Sequence, residues 1–191
     1  RFTKHFYRTV DFSNCKKYIK SIDAGEAANA VPAFAKAELI GVTKEEIDIA
    51  AEKAKHTNAE FTFDGEKLIC SGTSAHASLP ENGNNPITAL FELLSYIDFD
   101  SKCTEFADSL KALFPHGKYN GEALGVDMSD MLGRLTLTLD VVRFENGKFD
   151  GCFDTRIPMS ATKENCADVI AASLRKHGFE RGFIDCRTLK E

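Results

Sequence analysis

The sequence lacks the features that mark several large classes of protein. It has no apolar run near the ~20 residues that a membrane-spanning helix requires, and no apolar leader typical of a secreted chain. Its six cysteines lie at wide spacings without a C-x-x-C pair, unlike a zinc ribbon or a disulfide-rich secreted domain. Its net charge of −5, with both signs intermixed, argues against a nucleic-acid-binding surface. We therefore expect a cytoplasmic chain that binds neither membranes nor nucleic acids.

Motifs of self-contained hydrolytic catalysis are also missing. The sequence has no His-x-Asp, no His-Glu-x-x-His and no G-x-S-x-G, and Ser71-Gly-Thr-Ser74 has the wrong register for a nucleophile elbow. A zinc site needs three or four converging ligands, and the histidines other than His76 lie in unrelated contexts. We predict that this chain alone holds no metal ligand set and is inactive.

What is present suits one domain or two small ones. The chain has 191 residues, of which 43% are apolar, and it begins at Arg1 rather than methionine, so we expect a piece of a longer protein. Residues 1–16 are basic and aromatic without a clear period, and we interpret them as a linker or edge segment. Four glycines in 116–133 predict a connection between a first α/β half, 17–115, and a second, 134–191.

Two short turns predict β-hairpins. Asp64-Gly65 and Asn146-Gly147 each separate runs of strand-forming residues, and such pairs are strong hairpin signals. In the second hairpin, Leu135, Leu137, Leu139 and Val141 alternate with Thr136, Thr138 and Asp140, which predicts one apolar face. The hairpin strands are expected near 61–64, 67–73, 135–144 and 148–157. Further strands are expected near 17–24, 35–42 and 179–187.

Apolar residues recur at helical spacing in four other segments. The first segment begins with the capping box Thr43-Lys-Glu-Glu46. The predicted helices lie near 44–56, 86–98, 102–113 and 163–177. Hairpins imply antiparallel pairing, and amphipathic helices need a sheet face to cover. We therefore predict an α+β, ferredoxin-like fold, with an antiparallel sheet, helices packed on one face and two related halves.

The stretch from Ser71 to Pro86 holds the strongest functional signal. Its histidine, His76, lies between two alanines after a predicted strand, and small neighbours leave its ring accessible. Asn85 and Pro86 are typical of the cap and first position of a helix. From residue types alone, His76 is either a functional group or a histidine that forms hydrogen bonds within a turn.

The pattern Ser74-Ala-His76-Ala-Ser-x-Pro80-Glu81-x-Gly83-x-Asn85, followed by an apolar helix, resembles a known family. It is similar to the lid, or dimerisation, domain of the aminoacylase/carboxypeptidase-type zinc metallopeptidases, within the branch of the PepV- and carnosinase-like dipeptidases. Ala28-Asn-Ala-Val-Pro32 and Leu132-Gly-x-Leu-Thr136 resemble other parts of the same domain. The resemblance covers residues 17–185 and is strongest at 71–94.

This resemblance implies the lid of a metal-dependent dipeptidase, a hydrolase. The metal, zinc with manganese or cobalt as alternatives, is then expected in a catalytic domain that is absent from this chain but belongs to the same polypeptide. His76 matches the lid histidine that stabilises the oxyanion of the scissile carbonyl. Asn29 matches an asparagine that contacts the substrate, and Arg156 matches an arginine that binds the free carboxylate of a dipeptide.

The chain also departs from the family pattern. Ala33, Thr138 and Ile157 stand where relatives often carry aspartate, asparagine and an aromatic residue. Without the family, Asn29 reads equally well as a turn residue, and Arg156 as a surface arginine paired with Asp154. The alternative function is a non-catalytic ferredoxin-like module that binds a small ligand or pairs subunits. Neither the dipeptide preference nor the oligomeric state follows from the sequence.

Overall fold

The computed structural model describes residues 1–185, and within them eight strands form one antiparallel sheet. Its strands are β1 (Phe2–Thr9), β2 (Tyr18–Ala24), β4 (Phe34–Ile40), β5 (Glu60–Phe63), β6 (Lys67–Ser71), β10 (Thr136–Glu145), β11 (Lys148–Arg156) and β12 (Glu180–Asp185). Two small sheets pair β3 (Ala30–Val31) with β7 (Ala75–His76), and β8 (Ser129–Asp130) with β9 (Gly133–Arg134). The predicted last strand is thus confirmed to residue 185, while residues 186–191 of the predicted second half lie outside the described part.

Four helices pack on the large sheet, which confirms the predicted α+β class. They are α1 (Lys44–Lys53), α2 (Pro86–Ser95), α3 (Ser101–Leu113) and α4 (Asp168–Lys176). Short 3₁₀ turns cover Lys55–Thr57, Pro80–Asn82 and Glu122–Leu124, and a π-helical turn, Lys163–Ala167, leads into α4. The capping box of α1 forms as predicted between Thr43 and Glu46. None of the helices in the described residues is both long and apolar enough to cross a membrane.

The order of the large sheet is β12-β1-β11-β10-β2-β4-β6-β5. Counted outward from the central strands β10 and β2, the two halves of the sheet have similar arrangements of four strands. In one half, the central strand β2, its neighbour β4, helix α1 and the edge strand β5 follow one another along the chain. In the other half, β10, β11, α4 and β12 occupy the corresponding positions in the same order. The third strand from the centre is β6 in one half and β1 in the other. The two halves meet where β10 pairs antiparallel with β2.

The first residues are not the linker or edge segment that we expected. Strand β1 lies inside the sheet, between β11 and β12, and Phe6 is fully buried. The sequence obscures this strand because Lys4 occupies one of its buried positions and interrupts the apolar alternation. In the sheet, β1 therefore belongs with the second half.

An aromatic cluster fills the core between the second half of the sheet and α3. Phe106 of α3 contacts Phe144 and Phe149 with ring centroids 4.9 and 5.9 Å apart. The other members of this cluster are Phe6, Phe12, Phe114, Phe153 and Phe179. Helix α3 thus packs over β10 and β11, although the predicted division of the chain places it in the first half.

Strand β10 departs from simple alternation at a β-bulge. Leu139 pairs with Phe153 and Val141 pairs with Cys152, so Asp140 is an extra residue in the strand. Leu135, Leu137 and Leu139 face the core as predicted, but after the bulge the core residues are Val142 and Phe144. The prediction that Val141 continues the apolar face is therefore wrong.

Candidate functional site

His76 and Asn29 meet in the small sheet formed by β3 and β7. Ala30 pairs with His76, and the Ala77 amide donates to the Asn29 carbonyl oxygen at 3.0 Å. Both side chains are exposed. The structure therefore brings together two of the three predicted site residues, on adjacent segments that lie outside the large sheet.

The loop that carries His76 is closed at its base by direct backbone pairing. The amides of Thr73 and Asn84 each donate to the other's carbonyl oxygen at 2.9 Å. A Cβ on Gly72 would lie 2.1 Å from the Asn84 carbonyl oxygen, so only glycine allows this approach. Asn85 then caps α2, because its side chain accepts from the Ile87 amide at 2.9 Å. Both ends of the His76 loop are therefore anchored.

The hydrogen bonds of His76 define which ring nitrogen is free. The Ser78 amide donates to Nδ1 at 3.1 Å, and the Ser78 hydroxyl lies 2.6 Å from the same nitrogen. A backbone amide can only donate, so Nδ1 is an acceptor and the neutral ring carries its proton on Nε2. The turn interaction and a functional role are therefore compatible, because the turn orients the ring and leaves an N–H donor directed away from it.

Arg156 lies at the end of β11 and is held through one of its nitrogens. Its Nε donates to Asp154 Oδ2 at 3.2 Å, and the other oxygen of Asp154 accepts from Arg1 Nε at 2.8 Å. Asp154 is fully buried, whereas about a third of the Arg156 side chain (32%) is exposed. Among residues 1–182, whose side chains the structure describes, none accepts a hydrogen bond from the two terminal nitrogens of Arg156. Such a pair of nitrogens can bind both oxygens of one carboxylate.

The bulge in β10 lies between the His76 loop and Arg156. On one side, Asn85 donates through Nδ2 to the Leu139 carbonyl oxygen at 2.9 Å. Gly25, in a left-handed conformation with φ of 80°, approaches so closely that a Cβ would lie 1.8 Å from the Asp140 carbonyl oxygen. On the other side, β11 carries Arg156. No hydrogen bond within the described residues joins Arg156 directly to β3 or β7.

A cleft of about 520 Å³ opens beside β3, and sequence reasoning did not find it. Ala30, Pro32 and Phe34 form part of its apolar wall, and Phe34 is 56% exposed. Arg143 fixes the opposite wall, because it donates to the carbonyl oxygens of Ala24 and Gly25, each at 2.6 Å. Charged residues at the rim are Asp23, Glu26, Lys36 and Arg143.

Asp140 is the other residue whose role the sequence concealed. Its side chain is fully buried, and neither carboxyl oxygen has a hydrogen-bond partner among the described residues. Burial is the main cause that raises the pKa of Asp140 to about 8, and the nearby Asp154 carboxylate acts in the same direction, while the neighbouring Thr138 hydroxyl, Arg1 and Arg156 oppose the shift. Alternation places Asp140 on a polar face with Thr136 and Thr138, and gives no signal that this face is buried here.

A further buried polar cluster on α2 has a structural explanation. Glu92 is 6% exposed and accepts from the His116 amide at 3.4 Å, and Lys111 Nζ lies 3.3 Å from its other oxygen. The His116 ring lies 2.8 Å from the Thr88 hydroxyl, and burial lowers its pKa. These contacts tie the segment after α3 to α2.

The described residues do not supply a metal site. Among residues 1–182, whose side chains the structure describes, no group of three or more histidine, cysteine, aspartate or glutamate side chains could hold a metal ion. The zinc implied by the resemblance therefore finds no ligand set in this part of the chain, and its placement in a separate catalytic domain stays a prediction.

A family model described as "Peptidase dimerisation domain" matches residues 58–164, which is more than half of the chain. The chain belongs to the peptidase dimerisation domain family. This confirms the family-level resemblance drawn from the His76 stretch. The matched range of the peptidase dimerisation domain includes His76 and Arg156, while Asn29 lies before it. No curated protein matches the chain.

Proposed function

We propose that this peptidase dimerisation domain is the lid of a metal-dependent dipeptidase, and that it completes the substrate site of a catalytic domain in the same polypeptide. The observation that carries the proposal is the fixed donor on His76, whose Nδ1 accepts from the Ser78 amide and leaves Nε2–H free. An exposed, oriented donor on an anchored loop suits a group that reaches over a bound substrate.

In this role, His76 donates to the carbonyl oxygen of the scissile peptide bond. That oxygen gains negative charge when a nucleophile attacks the carbonyl carbon, so the hydrogen bond strengthens in the transition state. A single donor of this kind contributes roughly 3–4 kcal/mol to the barrier reduction. A metal in the catalytic domain would supply an activated water, and no step assigned to this chain depends on its geometry.

Arg156 binds the free carboxylate of the dipeptide. Asp154 holds Nε and so restricts the guanidinium, which leaves the two terminal nitrogens for the ligand. This arrangement combines charge with a bidentate geometry that a lysine would not provide. It also accounts for a preference for dipeptides, because the carboxylate must lie a short, fixed distance from the scissile bond.

Asn29 contacts the substrate from the turn that precedes β3, beside His76. Its carbonyl oxygen already accepts from the Ala77 amide, so the exposed side-chain amide is the group that remains for a ligand. The cleft next to it, with Phe34 and Pro32, offers apolar surface to a substrate side chain.

The cytoplasmic location stays a prediction, and the five cysteines of the described part are all free thiols, as in a reducing compartment.

The test is steady-state kinetics of the full-length protein on a free dipeptide and on its C-terminal amide. His76→Ala should lower kcat by about 100-fold or more with a smaller change in KM, because the lost interaction forms chiefly in the transition state. Arg156→Ala should raise KM for the free dipeptide by about 30-fold or more, and should have far less effect on the amide.

Two conservative variants serve as controls. His76→Gln retains an N–H donor and should recover part of the lost kcat, while Arg156→Lys retains the charge but not the bidentate geometry. A kcat for His76→Ala near that of the wild type would remove His76 from the reaction. Equal losses on both substrates for Arg156→Ala would show that Arg156 does not bind the carboxylate.

A second candidate function is subunit pairing without a role in catalysis, as the family description suggests. Strand β5 is an edge of the large sheet, and in the described residues it pairs only with β6. Helix α1 packs beside it and carries Ile49, which is 59% exposed. An open edge with an apolar neighbour can pair with another copy of the chain.

A further inference from the structure

The residues around Arg156 form a buried cluster of charges. Asp154 accepts from both Arg1 and Arg156 with its two oxygens, at 2.8 and 3.2 Å. Asp140 interacts electrostatically with all three of these residues, yet its own oxygens have no hydrogen-bond partner within about 3.5 Å among residues 1–182, whose side chains the structure describes. One carboxylate of the cluster is therefore fully paired, and the other carboxyl group is not.

The protonation of Asp140 decides the net charge of this cluster. With Asp140 protonated, two guanidinium groups face one carboxylate, and the cluster carries one net positive charge. With Asp140 ionised, the net charge is zero. Burial favours the neutral form of Asp140, because ionisation in a low-dielectric site costs solvation energy, and the neighbouring Thr138 hydroxyl opposes this effect without cancelling it.

We propose that Asp140 is a positioning residue for substrate binding: its protonated form leaves Arg1, Asp154 and Arg156 with one uncompensated positive charge, and this sets the site to bind a ligand with one free carboxylate. The inference rests on the proposed role of Arg156. It adds a residue that does not contact the ligand, and it identifies the ligand class as a monocarboxylate, such as the C-terminus of a dipeptide.

The position of Asp140 in the bulge supports this role. The extra residue places its side chain on the face of β10 opposite Cys152, and Cys152 shares that face of β11 with Asp154 and Arg156. Among residues 1–182, the charged groups that interact with Asp140 are Asp154, Arg1 and Arg156, and the Thr138 hydroxyl also interacts with it. Cys152 also interacts with it, but burial raises the pKa of that thiol to about 12, so the thiol stays neutral.

The experiment measures carboxylate binding to the 191-residue chain and its Asp140→Asn variant at pH 7.0 and pH 9.5. The probe is N-acetyl-Ala-Ala, whose amine is blocked and whose carboxylate stays ionised over this range, and binding is followed by NMR shifts of the Arg156 guanidinium. In the wild type, the Kd should be roughly tenfold higher at pH 9.5, because ionised Asp140 cancels the net charge. In Asp140→Asn, the Kd should change less than about twofold.

The comparison between variants isolates Asp140 from other groups that titrate in this range. Lys4, whose pKa burial lowers to about 8, is present in both proteins. The amide N-acetyl-Ala-Ala-NH₂ should bind to neither protein, which confirms that the carboxylate is what binds. A direct NMR titration of the Asp140 carboxyl carbon, which should show its inflection above pH 7, keeps the test valid if the variant is poorly folded.

The outcomes separate this inference from the proposed function. Carboxylate binding that weakens equally with pH in both proteins, or an Asp140 inflection below pH 6, would overturn the role of Asp140 and leave that of Arg156 intact. Absence of binding to the wild type at either pH would overturn the role of Arg156, and the inference with it.

Discussion

At the scale of residues, the large sheet buries two ionisable side chains, Lys4 and Asp140, with few compensating interactions. The Lys4 ammonium has one acceptor in the described residues, the Ala167 carbonyl oxygen at 3.5 Å, and this is a long contact. Burial is the main cause that lowers the pKa of Lys4 to about 8, and Arg181 and Arg175 act in the same direction, while Cys166 and Asp168 oppose the shift. Both residues therefore reduce stability when they are charged, and neither is explained by packing alone.

Replacing Lys4 by methionine should stabilise the chain near neutral pH. The folded-state pKa is lower than the ordinary value of 10.5, so the stability of the wild type is greatest above 10.5, falls as the pH decreases from 10.5 to about 8, and levels off below that. Lys4→Met removes this loss and should raise the free energy of unfolding at pH 7 by on the order of 2 kcal/mol. Chemical denaturation at pH 7 and pH 10.5 measures the effect, which should shrink at the higher pH.

The matched control is Lys36→Met, because Lys36 is an exposed lysine in a strand of the same sheet. It should change the free energy of unfolding by less than about 0.5 kcal/mol at either pH. If Lys4→Met destabilises the chain at pH 7, the ammonium is better compensated than its single long contact indicates.

At the scale of elements, Asn85 links helix α2 to strand β10. Its Oδ1 caps the helix, and its Nδ2 donates to the carbonyl oxygen just before Asp140, both at 2.9 Å. Asn85→Ala removes both bonds and should lower the free energy of unfolding by about 2 kcal/mol. Asn85→Ser retains an acceptor for the cap but is too short to reach β10, so it should cost about half as much. Urea denaturation of the three proteins gives both values, and equal losses for the two variants would show that the cap contributes nothing.

The same elements show how far the sequence predicts the fold. The Asn146-Gly147 turn, the leucine alternation before it and the capping box at Thr43 depend on neighbours in the sequence, and the structure confirms each of them. Strand β1 depends on partners more than 140 residues away and has a lysine in a buried position, so its local pattern was uninformative. The bulge at Asp140 follows from the contacts of Gly25 and Asn85, which no local pattern encodes.

The candidate site also has one part that the local sequence predicts and another that depends on contacts between distant strands. The loop around His76 was predictable because a local motif specifies it, including the cap at Asn85. Its proximity to Asn29 was not, because it results from pairing between β3 and β7, two strands of two residues each. The cleft beside Phe34 and the charges around Asp154 also form only when distant strands meet. Whether Arg156 and His76 act on one substrate stays a prediction.

At the scale of the whole molecule, the central pairing of β2 with β10 joins two similar halves within one chain. Each half contributes four strands, and we call the boundary between β2 and β10 the seam. The continuous sheet places the His76 loop on one side of this seam and Arg156 on the other. The site needs no second copy of the chain to bring these two segments to the same strand, β10.

We therefore expect the 191-residue chain to be a monomer at concentrations up to about 100 μM, where interfaces weaker than roughly 5 kcal/mol stay dissociated. Sedimentation equilibrium gives the mass directly.

Subunit pairing through the open edge at β5 requires the opposite result, a dimer whose dissociation constant rises when Ile49→Glu places a charge beside that edge. Leu79→Glu is the matched control, since Leu79 is 49% exposed but lies in the His76 loop and not on α1. A dimer that Ile49→Glu weakens and Leu79→Glu does not would show that the edge, and not the internal seam, performs the pairing. A mass equal to one chain for all three proteins would leave the seam between β2 and β10 as the only pairing of the two halves.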